Sequence, residues 1–320
     1  MASLTVTIPT INRALCLLRT VQLLSQQTVR PIEIIVVDQT ERYSVPDRSL
    51  IEQVRSTPSV HYYLQSEPNA SKARNLGLLR GAGDIILFLD DDVDFGPSLI
   101  ESHLKNYISP TVPGVAGQVR TEGRVRNDKH PLSVIPRVGW IVFPFNYTQA
   151  CLVESGMAGN LSVRRSLAMN VGGMDEVYQR GGFREEADFC YRFVRRFGKL
   201  QFDPDAWVDS LAWPEGGIRS ASAGIADSNH LACEYYFIFK NLSPVEQAVH
   251  ILYSFYRRWY LRPAPGHFLG TAIPQALTAM KRAWHMKTVG PRYIQHSALR
   301  QTPSEDATAT AAAAATEEEL

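Results

Sequence analysis

The feature that most constrains this chain is a recurrence before residue 90: a β-rich run, a stretch with helical spacing, then another β-rich run, twice over. Leu4–Ile8 is the first run, closed by Pro9. From Asn12 the apolar residues Ala14, Leu17, Val21 and Leu24 recur at helical spacing, and Ile32–Val37 ("IEIIVV") is the second run. Strand, helix, strand is a βαβ unit, and strands this apolar suit a parallel sheet covered on both faces. The next unit runs from "VHYYLQ" through a helix expected at Ser71–Leu79, stopped by Gly81 and Gly83, to the five apolar residues Ile85–Leu89. The fold class is therefore α/β.

In open α/β sheets, ligands meet the carboxyl ends of the strands. Asp38 ends the second run, and Asp90, Asp91 and Asp92 end the Ile85–Leu89 run, with Asp94 close behind. Carboxylates crowded at one strand end repel one another, and a divalent cation relieves this. Hard oxygen ligands select Mg²⁺ or Mn²⁺ over zinc, and an ion held by so few protein groups completes its shell with substrate phosphates. Side-chain alternation places Asp90 and Asp92 on one side and Asp91 on the other, so the outer two can share a metal. An acidic turn without a ligand would be spelled the same way, but this one lies in the same sheet as Asp38. Lys72 and Arg74 fall in the first turn of the 71–79 helix, where cations oppose the helix dipole. A phosphate bound there would reverse the sign; two solvated surface cations are the alternative.

The formal net charge is +1 over 320 residues, which removes any global attraction for nucleic acid. Cys16, Cys151, Cys190 and Cys233 lie far apart without a CxxC or Cys/His spacing, so neither a disulfide framework nor a zinc site is expected, and reduced thiols suit a cytoplasmic location. "MASLTVTIPT" reads as a strand rather than a signal peptide, and no segment reaches the ~18 consecutive apolar residues of a membrane span, so a soluble or peripheral protein is expected. Residues 111–150, rich in Pro, Gly and aromatics, read as irregular structure and short strands. Between Lys240 and Arg300 lie Arg257, Arg258, Arg262, Lys281, Arg282, Lys287 and Arg292 against the single acid Glu246, interleaved with Trp, Tyr and Phe. This pattern suits a helical extension on an anionic membrane surface; packing of the aromatics against the preceding domain is the alternative. The tail "SEDATATAAAAATEEEL" is low-complexity and expected to be disordered.

The stretches "VTIPTINR", "IIVVDQT", "SKARNLGL", "ILFLDDD", "GNLSVRR", "VGGMDE" and "REEADFCYR" occur in the order and spacing of family 2 glycosyltransferases, and over roughly residues 4–220 the chain resembles them. The resemblance implies a GT-A fold: a Rossmann-like, mostly parallel sheet flanked by helices, here with a C-terminal helical extension. It implies a domain over 1–235, with a nucleotide-binding part (1–110) and an acceptor and catalytic part (111–235), followed by the extension (236–300) and the tail (301–320). It further implies inverting transfer of a sugar from a nucleoside diphosphate sugar, UDP-type favoured, to the hydroxyl of a saccharide or lipid-linked acceptor, with Mn²⁺ or Mg²⁺. Such work belongs to bacterial-type polysaccharide or glycolipid synthesis, at the inner face of the plasma membrane. By motif position, Pro9 and Thr10 line the base, with Arg13 closing the same stretch, and Asp38 bonds a uracil-like base. Arg74 lies near the phosphates, Asp90 and Asp91 face the ribose and diphosphate, Asp92 is the main metal ligand, and Glu186 is the catalytic base where the family more often has Asp. Ser210 stands where relatives often carry a metal-binding histidine, with Asp209 or His230 as substitutes. In "EGGIR", Gly216 and Gly217 would free a loop whose Arg219 closes on the diphosphate, unless it is an ordinary surface turn.

Helical geometry adds an argument for Glu186. Phe189, Cys190, Phe193, Val194 and Phe197 form one apolar face, and Glu186, three and four residues before the first two, falls on it. Helix capping is the alternative, and Glu185 is the second candidate. Asp188 is spaced to pair with Arg192 as a surface salt bridge. Two other classes fit parts of the pattern. A sugar-nucleotide pyrophosphorylase would open with a Gly-rich phosphate loop that "TIPTINR" is not. A non-catalytic nucleotide-sugar-binding module would have no need of both the acid triplet and Glu186.

Overall fold

The computed structural model describes residues 2–121, 134–135, 140–141, 147–178, 183–211, 213, 215–217, 226–261, 270 and 273–294. The first half builds as the apolar runs dictate: β1 (Leu4–Thr10), α1 (Ala14–Ser25), β2 (Glu33–Asp38), α2 (Val45–Arg55), β3 (Val60–Leu64), α3 (Ala70–Arg80) and β4 (Ile85–Leu89). All four strands pair in parallel, in the order β3-β2-β1-β4. β1 continues through Pro9, which ended the run in the sequence reading. Alternate residues of β1 face β2 and β4: the carbonyls of Leu4 and Thr10 accept from Ile32 and Gln39 on the β2 side, and that of Ser3 accepts from Ile85 on the β4 side. Pro9 therefore turns its missing N–H toward β4, beyond Thr7, the last residue of β1 paired there, and no ladder bond is lost.

The second half adds β5 (Val93–Asp94), α4 (Leu99–Leu104), β6 (Gly114–Thr121), a separate antiparallel pair β7 (Val134–Ile135) and β8 (Trp140–Ile141), then β9 (Cys151–Val153), β10 (Asn160–Arg164), α5 (Arg165–Asn170), α6 (Glu185–Phe197) and β11 (Leu200–Ser210). β10 runs antiparallel between β4 and β6, β11 lies parallel to β6, and β5 and β9 pair antiparallel with β11. The sheet is thus parallel in its N-terminal half and mixed beyond β4. β6 is an eight-residue strand, six of them buried, in a region expected to be irregular with short strands. Its apolar content is low because Gly114 and Gly117 meet side chains from neighbouring strands at close range.

Three helices follow: α7 (Ala226–Asn241), α8 (Pro244–Leu261) and α9 (Ile273–Val289). The boundary read at residue 235 falls inside α7, where Tyr235, Tyr236, Phe237 and Ile238 are all buried. Lys240, counted among the cations of a surface extension, is instead enclosed: its Nζ lies 2.6 Å from Asp175 Oδ2 and 2.8 Å from Asp188 Oδ1. Asp188 does pair with Arg192 (2.9 Å), but it is fully buried and also bonded by Asn241 (2.7 Å), so this is no surface salt bridge. Burial pushes the Asp188 carboxyl up, yet Arg192 and Lys240 together hold it below the usual carboxylate range. Lys281, Arg282 and Lys287 are exposed on α9, as is Arg292; the side chains of Arg257, Arg258, Arg262 and Arg300 lie outside the described residues, as do 301–320. After α9 the chain returns to the domain, where Glu176 N–H donates to the Arg292 carbonyl and Ile294 N–H to that of Gly172. Gly172 and Gly173 have φ of 81° and 69°, and a Cβ at Gly173 would meet Ile294 and Asn75 within 2.5 Å, which explains the two glycines of "VGGMDE". No helix among the described residues is long and apolar enough to cross a membrane.

His103 of α4 has no exposed surface; its ring nitrogens each lie 2.9 Å from a partner, Ser162 Oγ and Asn160 Oδ1. Burial pushes it down to about 4. The folded protein therefore keeps it neutral while the unfolded chain protonates near 6.5, so its stabilising contribution is complete above that pH and lost as pH falls toward 4. The loss is about 3 kcal/mol, at 1.36 kcal/mol per pKa unit. Urea unfolding at pH 7 and pH 4.5 should show a smaller pH difference for His103→Gln than for the unsubstituted protein. Equal differences would mean that His103 titrates normally.

Candidate active site

β1 and β4 are paired only from Leu4 to Thr7 of β1. Their C-terminal ends border a cleft of about 190 Å³, lined by Pro9, Thr10, Ile11 and Arg13 after β1, and by Asp90, Asp91 and Asp92 after β4. Gln39 after β2, Ala70 and Arg74 of α3, Met157, Gly159, Glu185 and Glu186 of α6, Ser210 of β11 and Gly217 complete it. Residues from eight separate stretches of sequence thus meet at the carboxyl edge of the sheet, where such folds bind ligands.

On one side, Asp91 is buried beneath the cleft. Thr10 Oγ1 donates to its Oδ2 at 2.6 Å and Arg13 Nη1 to its Oδ1 at 3.0 Å. Burial pushes the Asp91 carboxyl up to about 7 against the pull of Thr10 and Arg13, and Asp92 beside it adds to the rise. Arg13 Nη1 also lies 2.9 Å from Asp92 Oδ2. The loop after β11 folds over this arginine: Glu215 O accepts from Arg13 Nε at 3.2 Å, and Gly217 N–H donates to Ile11 O at 2.9 Å. At Gly216 (φ 67°) a Cβ would lie 2.3 Å from the Asn12 carbonyl oxygen, so only glycine fits this close approach.

Asp90 takes the other direction, which corrects the alternation read from the sequence: residues 90–92 are not in a strand, so Asp91 and Asp92 share Arg13, although Asp90 and Asp92 both still line the cleft. Arg74 Nη2 donates to its Oδ1 at 3.2 Å, and Arg74 Nη1 lies 3.7 Å from Glu185 Oε1. Arg74 is buried, held by α3, whose start is fixed by Asn69 accepting from Lys72 N–H at 3.0 Å. Arg74 Nε and Nη1, Glu185 Oε2 and the neighbouring Ser71 Oγ are buried without a hydrogen bond. Each such group costs about 1–3 kcal/mol unless a ligand satisfies it. Gly159 leaves room for Asp90, since a Cβ there would lie 2.4 Å from Asp90 Oδ2.

Glu185 and Glu186 begin α6. Both line the cleft, but Glu185 is buried whereas Glu186 is partly exposed. The helix phase read from the sequence put Glu186 on the apolar face, and the structure corrects this: Glu186 is partly exposed while Glu185, Ala187 and Asp188 are buried, because α7 covers that flank. Arg184, just before the helix, has φ 75°, a conformation that costs a non-glycine residue about 1–3 kcal/mol. Lys72 is exposed and absent from the lining, a solvated cation as the alternative reading had it. Asp38 lies beside Thr10 in the β1–β2 register, buried, accepting from Tyr62 OH and from Thr40 N–H (2.9 Å). Asp209 is turned aside into a bidentate pair with Arg120 (2.6 and 2.8 Å), and the His230 ring stacks on Phe183. Arg219 lies outside the described residues. Gln39, Met157 and Gly159 were not singled out in the sequence; Gln39 and Gly159 carried a signal through their places in "IIVVDQT" and "GNLSVRR", and Met157 carried none.

A cation here would find oxygen ligands only: Asp90 and Asp92 at the cleft, with Ser210 nearby, since Leu211 N–H donates to the Asp92 carbonyl at 2.9 Å. Among the described residues no group of three or more His, Cys, Asp or Glu is arranged to hold a metal ion. Two carboxylates fit an ion that takes its other ligands from phosphates.

The family model for Glycosyl transferase family 2 matches residues 5–168, just over half of the chain, and the chain belongs to that family. It is 29% identical over 210 residues to the pre-mycofactocin glycosyltransferase of Mycobacterium tuberculosis, covering 64% of this chain and 42% of that protein, so it spans less than half the relative's length. Its fold matches S. aureus TarS 1-349 in complex with UDP-GlcNAc, with a TM-score of 0.60 at 15% identity over 89% of this chain and 81% of that one. It also matches mannosyltransferase PcManGT from Pyrobaculum calidifontis in complex with GDP-Man and Mn²⁺, with a TM-score of 0.54 at 17% identity over 98% and 81%.

Proposed function

We propose that this cleft transfers a sugar from a nucleoside diphosphate donor to an acceptor hydroxyl, with inversion at the anomeric carbon. The observation that carries this reading is Arg74, a buried guanidinium with Nε and Nη1 unbonded at the edge of a carboxylate-lined cleft. The diphosphate of a donor would satisfy it, and the family supplies the class of donor. Asp90 and Asp92 would hold a divalent cation, whose role when bound is to neutralise charge on the departing diphosphate. Arg13 and Arg74 stabilise the same charge through fixed guanidinium groups. Glu186, partly exposed in the cleft lining, takes the proton of the acceptor hydroxyl as that oxygen attacks. Direct attack inverts the anomeric centre and needs no covalent intermediate. A saccharide or lipid-linked acceptor remains part of the proposal. The exposed α9 cations Lys281, Arg282 and Lys287 support its presentation at an anionic membrane surface, to which the enclosed Lys240 contributes nothing.

The test is a panel of UDP- and GDP-sugars incubated with Mn²⁺ and no acceptor. Slow release of UDP or GDP with free sugar is expected for at least one donor. Release of pyrophosphate instead would identify a pyrophosphorylase, and binding without release under every condition, acceptors included, a non-catalytic module.

A further inference from the structure

We propose that the buried cluster of Arg184, Glu234 and His250 is a positioning device for α6, holding its entry so that Glu185 and Glu186 face the cleft. This rests on the transferase reading above.

Arg184 is the residue from which α6 starts. Its backbone is left-handed (φ 75°, ψ 4°), its side chain makes no capping bond to the helix, and its carbonyl accepts the first helical bond, from Asp188 N–H at 2.8 Å. A glycine would adopt that conformation at no steric cost, so an arginine there has its use in the side chain. The guanidinium is buried, and Nε donates to Glu234 Oε2 at 2.6 Å. The other oxygen of Glu234 lies 2.8 Å from His250 Nε2, and His250 has no exposed surface. Burial pushes the Glu234 carboxyl up, but Arg184 and the bond from His250 hold it below the usual range, so the anion persists at neutral pH. Glu234 sits on α7 and His250 on α8, so one carboxylate ties the entry of α6 to both helices. Phe183 adds a second tie, its ring stacked on His230 of α7 at 5.0 Å.

The acids of the first turn already favour a helix beginning here, through the dipole. What the cluster adds is direction. The two residues preceding the carboxylate pair are each fastened to α7, and Glu185, beside Arg74, and the proposed base Glu186 are the next two in the chain. α6, α7 and α8 all lie beyond residue 168, where the family match ends, and the cluster would make α7 and α8 part of what shapes the site.

The experiment uses the full chain and two variants. Glu234→Gln removes the charge; Arg184→Gly with Glu234→Leu removes both partners, leaves no unpaired buried ion and accepts the positive φ, so it keeps the test alive if the first variant misfolds. For each, kcat should fall about 10- to 100-fold, and the Kd for UDP or GDP, whichever the unsubstituted protein binds, should shift less than kcat does, through the displaced Glu185. Amide hydrogen exchange at Glu185–Phe189 should quicken. A folded variant with kcat within twofold of the unsubstituted protein, or with unchanged protection at those amides, overturns the proposal. An unsubstituted protein without turnover refutes the transferase reading instead, and the exchange measurement then decides the positioning role alone.

Discussion

Glu186→Gln is expected to lose about 10²–10⁴ in the rate of sugar transfer, about 3–5 kcal/mol at 1.36 kcal/mol per tenfold, while binding UDP or GDP as the unsubstituted protein does. The expectation follows from its place. Glu186 lines the cleft on α6, partly exposed, in the same lining as the Arg13–Asp91–Asp92 and Arg74–Asp90 pairs. Glu185→Gln should behave differently, because Glu185 is buried with Oε1 3.7 Å from Arg74 Nη1. Its loss frees Arg74 from a competing anion, so nucleotide affinity should change more than the chemical step. Single-turnover transfer with parallel titration of nucleoside diphosphate separates the two. Near-normal transfer by Glu186→Gln together with a large rate loss in Glu185→Gln would move the base one residue back.

Chelation is expected to have an effect at least as large. EDTA should abolish transfer and Mn²⁺ or Mg²⁺ should restore it, because Asp90 and Asp92 place negative charge beside the position of a leaving diphosphate. Asp92→Asn should resemble the chelated protein even with Mn²⁺ present. The fold should survive that change, since Arg13 keeps its 3.0 Å bond to Asp91. Full activity of Asp92→Asn in chelator would reduce the triplet to an acidic turn.

Much of this site was legible because it is written locally. The apolar runs of β1, β2 and β4 and the carboxylates that end β2 and β4 depend on neighbours in sequence, and the strand ends converge wherever a parallel sheet forms. Burial was less legible. The i, i+4 spacing of Asp188 and Arg192 announced their pair correctly but implied a surface, because the residues that enclose Asp188, Lys240 and Asn241, are 52 and 53 positions away. The same distance hid Lys240 among the apparent cations of a membrane extension. Arg184 opens the stretch "REEADFCYR", but nothing in that stretch announced its backbone or its partner. Left-handed backbone is foreshadowed by Gly or Asn, and here an arginine adopts it beside a glutamate 50 residues on. β6 was obscured for a related reason: its glycines answer to close neighbours in the sheet rather than to a local turn.

The central claim is that Arg74 and the triplet carboxylates form the seat of a nucleoside diphosphate shared with a divalent ion. Calorimetric titration of UDP and GDP tests it most directly, with the unsubstituted protein and Asp92→Asn each measured in EDTA and in Mn²⁺. For at least one nucleotide, affinity should rise by about tenfold or more with Mn²⁺, a gain of about 1.4 kcal/mol, in the unsubstituted protein and not in Asp92→Asn. Equal affinity in all four titrations, or no binding of either nucleotide, would contradict it.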